Sequence, residues 1–134
     1  MKTTTRMIEE ELYIARNEHG HEVTIDMRKP DVKKSQSPVE LLLSSLGACG
    51  AVDIAIMVNK RKKTILSFIT ETTGDRREES PRSFTKIHCH YCITSPDLTG
   101  EELQKAAKLS LEKYCSVADS LKAHITFTTE VKRP

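Results

Sequence analysis

The stretch Ser37-Pro38-Val39-Glu40-Leu41-Leu42-Leu43-Ser44-Ser45-Leu46-Gly47-Ala48-Cys49-Gly50-Ala51-Val52-Asp53-Ile54-Ala55-Ile56-Met57-Val58-Asn59-Lys60 reads as one long helix. Ser37 can cap it, Pro38 suits the first helical position, and Glu40 stands where a capping box needs its carboxylate. Leu41, Leu42, Leu43, Leu46, Val52, Ile54, Ile56 and Val58 occupy nearly every face of the helix. The pattern therefore predicts a largely buried helix rather than an amphipathic surface one. A membrane span is the rival reading, but Ser44, Ser45 and Asp53 interrupt the apolar run and the rest of the chain is polar and strand-rich.

Working outward, residues about 7 to 27 alternate like a β-hairpin, with Leu12 and Ile14 on one arm and Val23, Ile25 and Met27 on the other. Asn17-Glu18-His19-Gly20 between them is turn chemistry. Residues 28 to 36 read as a loop. Residues 64 to 75 and 83 to 94 alternate as two strands around a charged turn, Gly74 to Pro81. Thr99-Gly100-Glu101-Glu102 is a second capping box, opening a helix to about Tyr114. A short helix over 116–122 and a strand from His124 to Val131 complete the order β-β-α-β-β-α-α-β. The predicted class is α+β, in a single domain spanning 1–134.

The 134 residues carry a net charge of +2 and no tryptophan, which argues against nucleic acid as a partner. Lys60-Arg61-Lys62-Lys63 reads as a solvated helix end. Met1-Lys2-Thr3-Thr4-Thr5-Arg6 lacks an apolar core and a cleavage site, so no signal peptide is read and a cytoplasmic setting is expected. Four cysteines in that setting point to thiol chemistry, metal ligation or inert core rather than a disulfide framework. No cofactor is expected.

Cys49 lies between Gly47 and Gly50, and glycines inside a helix cost about 1 kcal/mol each relative to alanine. Small residues around a thiol let another backbone, a second subunit or a substrate approach. A plain core role, with the glycines serving helix packing, is the alternative. Asp53 shares the face of Cys49 and could orient a basic partner; the plainer reading is a carboxylate solvated or bonded at a helix edge. Cys115 sits at a helix junction, where backbone N–H groups would favour its thiolate; buried packing is again the alternative. Cys89 and Cys92 form a C-x-x-C, yet on a strand they face opposite sides. One buried and one incidental thiol are expected there. His88, His90 and Cys92 share a face and form the one alternative metal reading.

The segment Ser37-Pro38-Val39-Glu40-Leu41-Leu42-Leu43, continuing to Leu46-Gly47-Ala48-Cys49, resembles the first cysteine helix of the OsmC family. That family comprises osmotically inducible protein C and the organic hydroperoxide resistance proteins. Asp75-Arg76-Arg77-Glu78-Glu79-Ser80-Pro81-Arg82-Ser83-Phe84-Thr85 and Glu112-Lys113-Tyr114-Cys115-Ser116-Val117 look like its YhfA-like branch. The resemblance implies antiparallel sheets around a long buried cysteine helix, in an intertwined homodimer with sites at the subunit interface. It also implies a peroxiredoxin-like reduction of organic hydroperoxides. Cys49 would be the peroxidatic thiol, Cys115 the resolving one, and a thiol donor the reductant.

One position departs from the family pattern. Where the hydroperoxide-resistance branch has a glutamate directly after the proline, this chain has Val39, and Glu40 follows. A shift of one residue rotates a helical side chain by ~100°. Glu40 thus stands both as a catalytic candidate and as the capping partner of Ser37. Arg28 is the candidate for the arginine that the family holds over its reactive thiol, with Arg77 second. The alternative function on the same scaffold is a non-catalytic redox sensor or a protein that binds an apolar ligand.

Overall fold

In a computed structural model that describes residues 1–134, β1 (Thr3–Glu9), β2 (Leu12–Asn17) and β3 (Glu22–Asp26) form an antiparallel meander. The predicted hairpin is its second half, with Leu12 opposite Asp26 and Arg16 opposite Glu22. The turn between β2 and β3 is held by the Asn17 carboxamide, whose oxygen accepts the N–H groups of His19 and His21 at 2.9 and 3.0 Å. Gly20 takes the positive φ, +84°, that the turn requires. β1 was not expected, because Thr3-Thr4-Thr5-Arg6 shows no alternation. It is recruited by pairing with β2.

The chain separates into two compact units, Met1–Leu42 and Leu43–Pro134. The second contains most of α1 (Pro38–Lys60), and then β4 (Ser67–Arg76), β5 (Phe84–Thr94), α2 (Gly100–Leu109), a π-helical turn (Ser110–Tyr114), α3 (Ser116–Asp119) and β6 (His124–Lys132). The helices fall close to their predicted bounds, except that the expected helix up to Tyr114 breaks into a π turn at Ser110 and the last helix is one turn long.

The second sheet runs β4-β5-β6. β4 and β5 are antiparallel, but β5 and β6 run parallel, with Ile87 opposite Ile125 and Tyr91 opposite Thr129. The expected antiparallel pairing holds for β1–β2, β2–β3 and β4–β5, and fails only for β5–β6. Alternation says which face of a strand is apolar and nothing about its direction. The helical connection between β5 and β6 is long enough for the crossover that a parallel pair needs.

Ile87, Cys89, Tyr91 and Ile93 project from β5 into the core, where they meet Leu46, Ile54 and Val58 of α1 and Leu103, Ala106 and Ala107 of α2. The α1 expectation also needs correction. Leu46, Gly47, Gly50, Ile54 and Val58 are buried, but Val52 is 58% exposed and Ile56 48%. Within the Leu43–Pro134 unit, the β4-β5-β6 sheet covers only one side of this helix.

Candidate redox site

Two close approaches dock α1 on the sheet. A Cβ at Gly47 would stand 2.8 Å from the Thr72 hydroxyl of β4, and one at Gly50 would stand 2.5 Å from the Tyr91 hydroxyl of β5. The two glycines flank Cys49, so the helix turn that bears the thiol lies directly against the strands. The need for a bare backbone explains the helix propensity given up at these positions.

Cys115 arrives from the other direction. The π turn gives a backbone bond from the Cys115 N–H to the Ser110 carbonyl, five residues back, at 2.8 Å. Cys115 then caps α3, its sulfur accepting the Ala118 N–H at 3.4 Å. Ser110, fully buried, ties the two cysteine-bearing elements together. Its hydroxyl lies 3.2 Å from the Asp53 carboxylate and 3.3 Å from the Gly50 carbonyl, both on α1. Asp53 thus accepts a hydrogen bond from Ser110, the plainer of its two readings, rather than orienting a basic partner.

The result is that the two thiols come close enough for Cys49 to act on the ionisation of Cys115. Both are free. Burial raises the Cys115 pKa to about 11, and the neighbouring Cys49 acts in the same direction, against the opposing backbone N–H groups of Ala118 and Val117. The expectation that the helix junction would favour a Cys115 thiolate is thus overturned. A four-residue helix supplies little dipole, and desolvation of a group only 3% exposed outweighs it. Cys115 is held as a thiol, and Cys49 is partly exposed.

The tyrosine beside them had no sequence signal beyond an apolar strand position. Tyr91 is fully buried and its hydroxyl has no hydrogen-bond partner of adequate geometry. Burial pushes its pKa well above the usual phenol range, and the thiols of Cys89, Cys115 and Cys49 push it the same way.

Cys89 is buried on the core face, and burial raises its pKa; Cys92 lies half-buried on the opposite face. His88 and His90 beside Cys92 are bonded across to β6. The ring nitrogens of His88 lie 2.7 and 2.9 Å from the hydroxyls of Thr126 and Thr128, and His90 Nδ1 lies 2.7 Å from that of Thr128. No three histidine, cysteine or acidic side chains converge as a ligand set.

Arg28 and Glu40 lie in the Met1–Leu42 unit. Arg28 grips the fully buried Asp26 through Nε and Nη2 at 2.9 and 2.8 Å and reaches Glu9 at 2.9 Å. Asp26 also accepts the backbone N–H groups of Arg28 and Lys34. The Arg28 guanidinium holds the Asp26 carboxyl well below the usual carboxylate range. Glu40 closes the capping box: its Oε1 accepts from the Ser37 N–H at 3.0 Å and the Ser37 hydroxyl at 2.8 Å, and Lys33 lies 3.7 Å away. Arg77 pairs with Glu79 at 3.0 Å.

A mixed α+β chain with a cysteine helix docked on a sheet, and a second cysteine held against it, matches known proteins closely. The family model of OsmC-like proteins matches residues 31–130, and the chain belongs to that family. Protein YhfA of Escherichia coli K12 is 33% identical over 128 residues, 96% of this chain and 94% of that one. A crystal structure of a protein from Aquifex aeolicus VF5 superposes with a TM-score of 0.87 at 27% identity, covering 99% of this chain and 96% of that one. The organic hydroperoxide resistance protein OhrB of Bacillus subtilis shares the fold, with a TM-score of 0.62 at 17% identity over 98% of this chain and 96% of that one.

Proposed function

We propose that this chain is a thiol-dependent peroxidase for organic hydroperoxides. The observation that carries the reading is the approach of the Cys115 segment to the Cys49 turn of α1, held by the Ser110 bonds to Asp53 and Gly50, with Cys49 partly exposed and Cys115 buried. Membership of the OsmC-like family, which includes proteins named for organic hydroperoxide resistance, supports it.

The Cys49 thiolate attacks the O–O bond of the hydroperoxide. A sulfur–oxygen bond forms, the O–O bond breaks, and the leaving alkoxide takes a proton to become the alcohol. The product is a Cys49 sulfenic acid. Cys115 then displaces its hydroxyl, forming the Cys49–Cys115 disulfide and releasing water. Two equivalents of a thiol donor, or one dithiol, return both cysteines to the reduced state. A hollow of about 320 Å³ on the neighbouring face of α1, lined by Leu43, Ser44, Gly47, Ala48, Ala51, Thr70 and Thr72 and not by Cys49 itself, offers room for an alkyl chain.

The working unit is a homodimer in the cytoplasm. Cys49 lies on the same helix stripe as Ser45, Val52 and Ile56. An apolar stripe left this exposed on one chain is what a second copy would cover. A subunit there would wall in Cys49 from the open side.

A redox sensor on the same scaffold is favoured by one observation: Arg28 is engaged by Asp26 and Glu9, and Glu40 by its cap. The test is to incubate the protein with cumene hydroperoxide and a dithiol and follow peroxide loss. Turnover that Cys49→Ser abolishes is expected, with Cys115→Ser allowing a single turnover only. Full activity in Cys49→Ser would refute the assignment. A single slow oxidation without turnover would select the sensor.

A further inference from the structure

The C-terminal half of α1 and the end of α2 leave a groove between them. It consists of two adjoining hollows of about 240 and 320 Å³, which share Met57, Lys60 and Leu109 as walls. All of their lining residues belong to the Leu43–Pro134 unit. Asp53, Met57 and Lys60 recur at helical spacing, so α1 presents one continuous face to the groove.

The groove has a polarity. Its middle is aliphatic, formed by Met57, Leu109 and the buried Ala106. One end holds Tyr114 and Asp53, whose carboxylate already accepts from Ser110. The other end holds Lys60, Arg61 and Lys105, and no acidic side chain lines it. These cations are incompletely neutralised. Lys105 pairs with Glu101 at 3.2 Å, both well exposed. Arg61 stands 3.9 Å from Glu102, which Lys63 shares at 3.8 Å and which also accepts the Thr99 N–H of the α2 cap. Lys60 pairs with no carboxylate. The last carbonyls of α1 do not compete for these side chains, because those of Met57, Val58 and Asn59 accept from the backbone N–H groups of Arg61, Lys62 and Lys63.

A solvated helix end accounts for the charge of this segment but not for the aliphatic trough beside it. Exposed apolar surface is unfavourable in water, and unpaired cations at one mouth select the charge of whatever fills it. The α1 stripe assigned above to a second copy meets this groove only at Ile56, in the Asp53 hollow, and does not line the cationic one.

We propose that the groove binds a single-chain amphiphile with an anionic head, its carboxylate at Lys60, Arg61 and Lys105 and its chain lying over Met57 and Leu109 toward Tyr114. A neutral chain would leave the cations unused, and a cationic one would be repelled. Tyr114 immediately precedes Cys115, so an occupied groove reaches the segment that carries the second cysteine. Neither thiol lines the groove, and binding is independent of cysteine chemistry.

The test is isothermal titration calorimetry of the full chain with dodecanoate below its micellar concentration, with octanoate and dodecyltrimethylammonium beside it. One dodecanoate per chain is expected. Each buried methylene adds about fourfold in affinity, so octanoate should bind at least about tenfold more weakly. Dodecyltrimethylammonium should also lose about tenfold or more, through its repulsion by the cationic end. Lys60→Gln should weaken dodecanoate by up to about fivefold. Leu109→Glu, at a position already 37% exposed, should abolish binding while stability to urea is kept. Lys86→Gln, an equal loss of charge on β5, should change nothing. Equal affinity for the two head-group charges overturns the proposal, as does binding indifferent to Lys60→Gln and Leu109→Glu. So does a lack of dodecanoate binding, and if Leu109→Glu then turns a sedimenting dimer into a monomer, the occupant is a second copy. Cys49→Ser should bind dodecanoate as the wild type does, so failure of the peroxidase reading leaves this site standing.

Discussion

Gly50→Ala tests whether the close approach of α1 to β5 is what fixes the cysteine turn. An added Cβ would stand 2.5 Å from the Tyr91 oxygen, 3.3 Å from Cζ and 3.4 Å from Cε1. The last two are tolerable with small adjustments, but the first is a true overlap. Tyr91 is fully buried and its ring has no open space to swing into, so the helix or the strand must move. Overpacking of this kind costs about 1–3 kcal/mol. Alanine returns about 0.8–1 kcal/mol through helix propensity. The difference leaves a destabilisation of up to about 2 kcal/mol, about 1 kcal/mol at the middle of both ranges, which in a domain of this length lowers Tm by about 3–5 °C.

Removing the offending oxygen should reverse the sign. In a Tyr91→Phe background the nearest contact becomes the ring carbon at 3.3 Å, and Gly50→Ala should be neutral or stabilising by up to about 1 kcal/mol. The double-mutant cycle should therefore show a coupling of about 1–3 kcal/mol, the overpacking cost itself. Urea denaturation of the four proteins at one fixed protein concentration measures it, the fixed concentration being needed because self-association contributes to apparent stability. The contact would be refuted by additive effects, or by a Gly50→Ala protein more stable than wild type while Tyr91 is intact.

Ser110→Ala removes the hydroxyl that bridges Asp53 and Gly50, and should destabilise the chain by about 1–2 kcal/mol in urea while slowing peroxide-driven Cys49–Cys115 disulfide formation on non-reducing gels. Asp26 has a folded-state pKa depressed by Arg28, so its contribution is present above the unfolded value near ~4 and is lost as pH falls below it; stability to urea should drop from about pH 4 downward, and Asp26→Asn should flatten that drop while lowering stability at neutral pH. Val52→Glu places a charge on the exposed stripe of α1 and should convert a dimer seen by analytical ultracentrifugation into a monomer; a wild-type protein that sediments as a monomer would remove the proposed interface.

Much of the frame was readable residue by residue. Ser37, Pro38 and Glu40 marked the start of α1, and Thr99 with Glu102 marked the start of α2, because caps are local chemistry that tertiary contacts do not rewrite. The alternation of β5 placed Cys89 on the core face and Cys92 on the other for the same reason: a strand has a period of two whatever packs on it. The two cysteine segments, with the middle segment from Asp75 to Thr85, sufficed to point to the OsmC family. What only the folded chain decided lies in relations between distant segments. Strand direction depends on the route of a connection, so the parallel pairing of β6 was not in the alternation. The π turn at Ser110, the Ser110–Asp53 link and the meeting of Cys49 with Cys115 all depend on how α1 and the α2–α3 segment share one sheet. The thiol of Cys115 changed sign for that reason. Its neighbours in sequence favour the anion, while the desolvation that prevails comes from residues far from it in the chain. Tyr91 went unnoticed because an apolar strand position is filled equally well by any large side chain. Only its place against Gly50, with its oxygen unpaired beside three sulfurs, sets it apart.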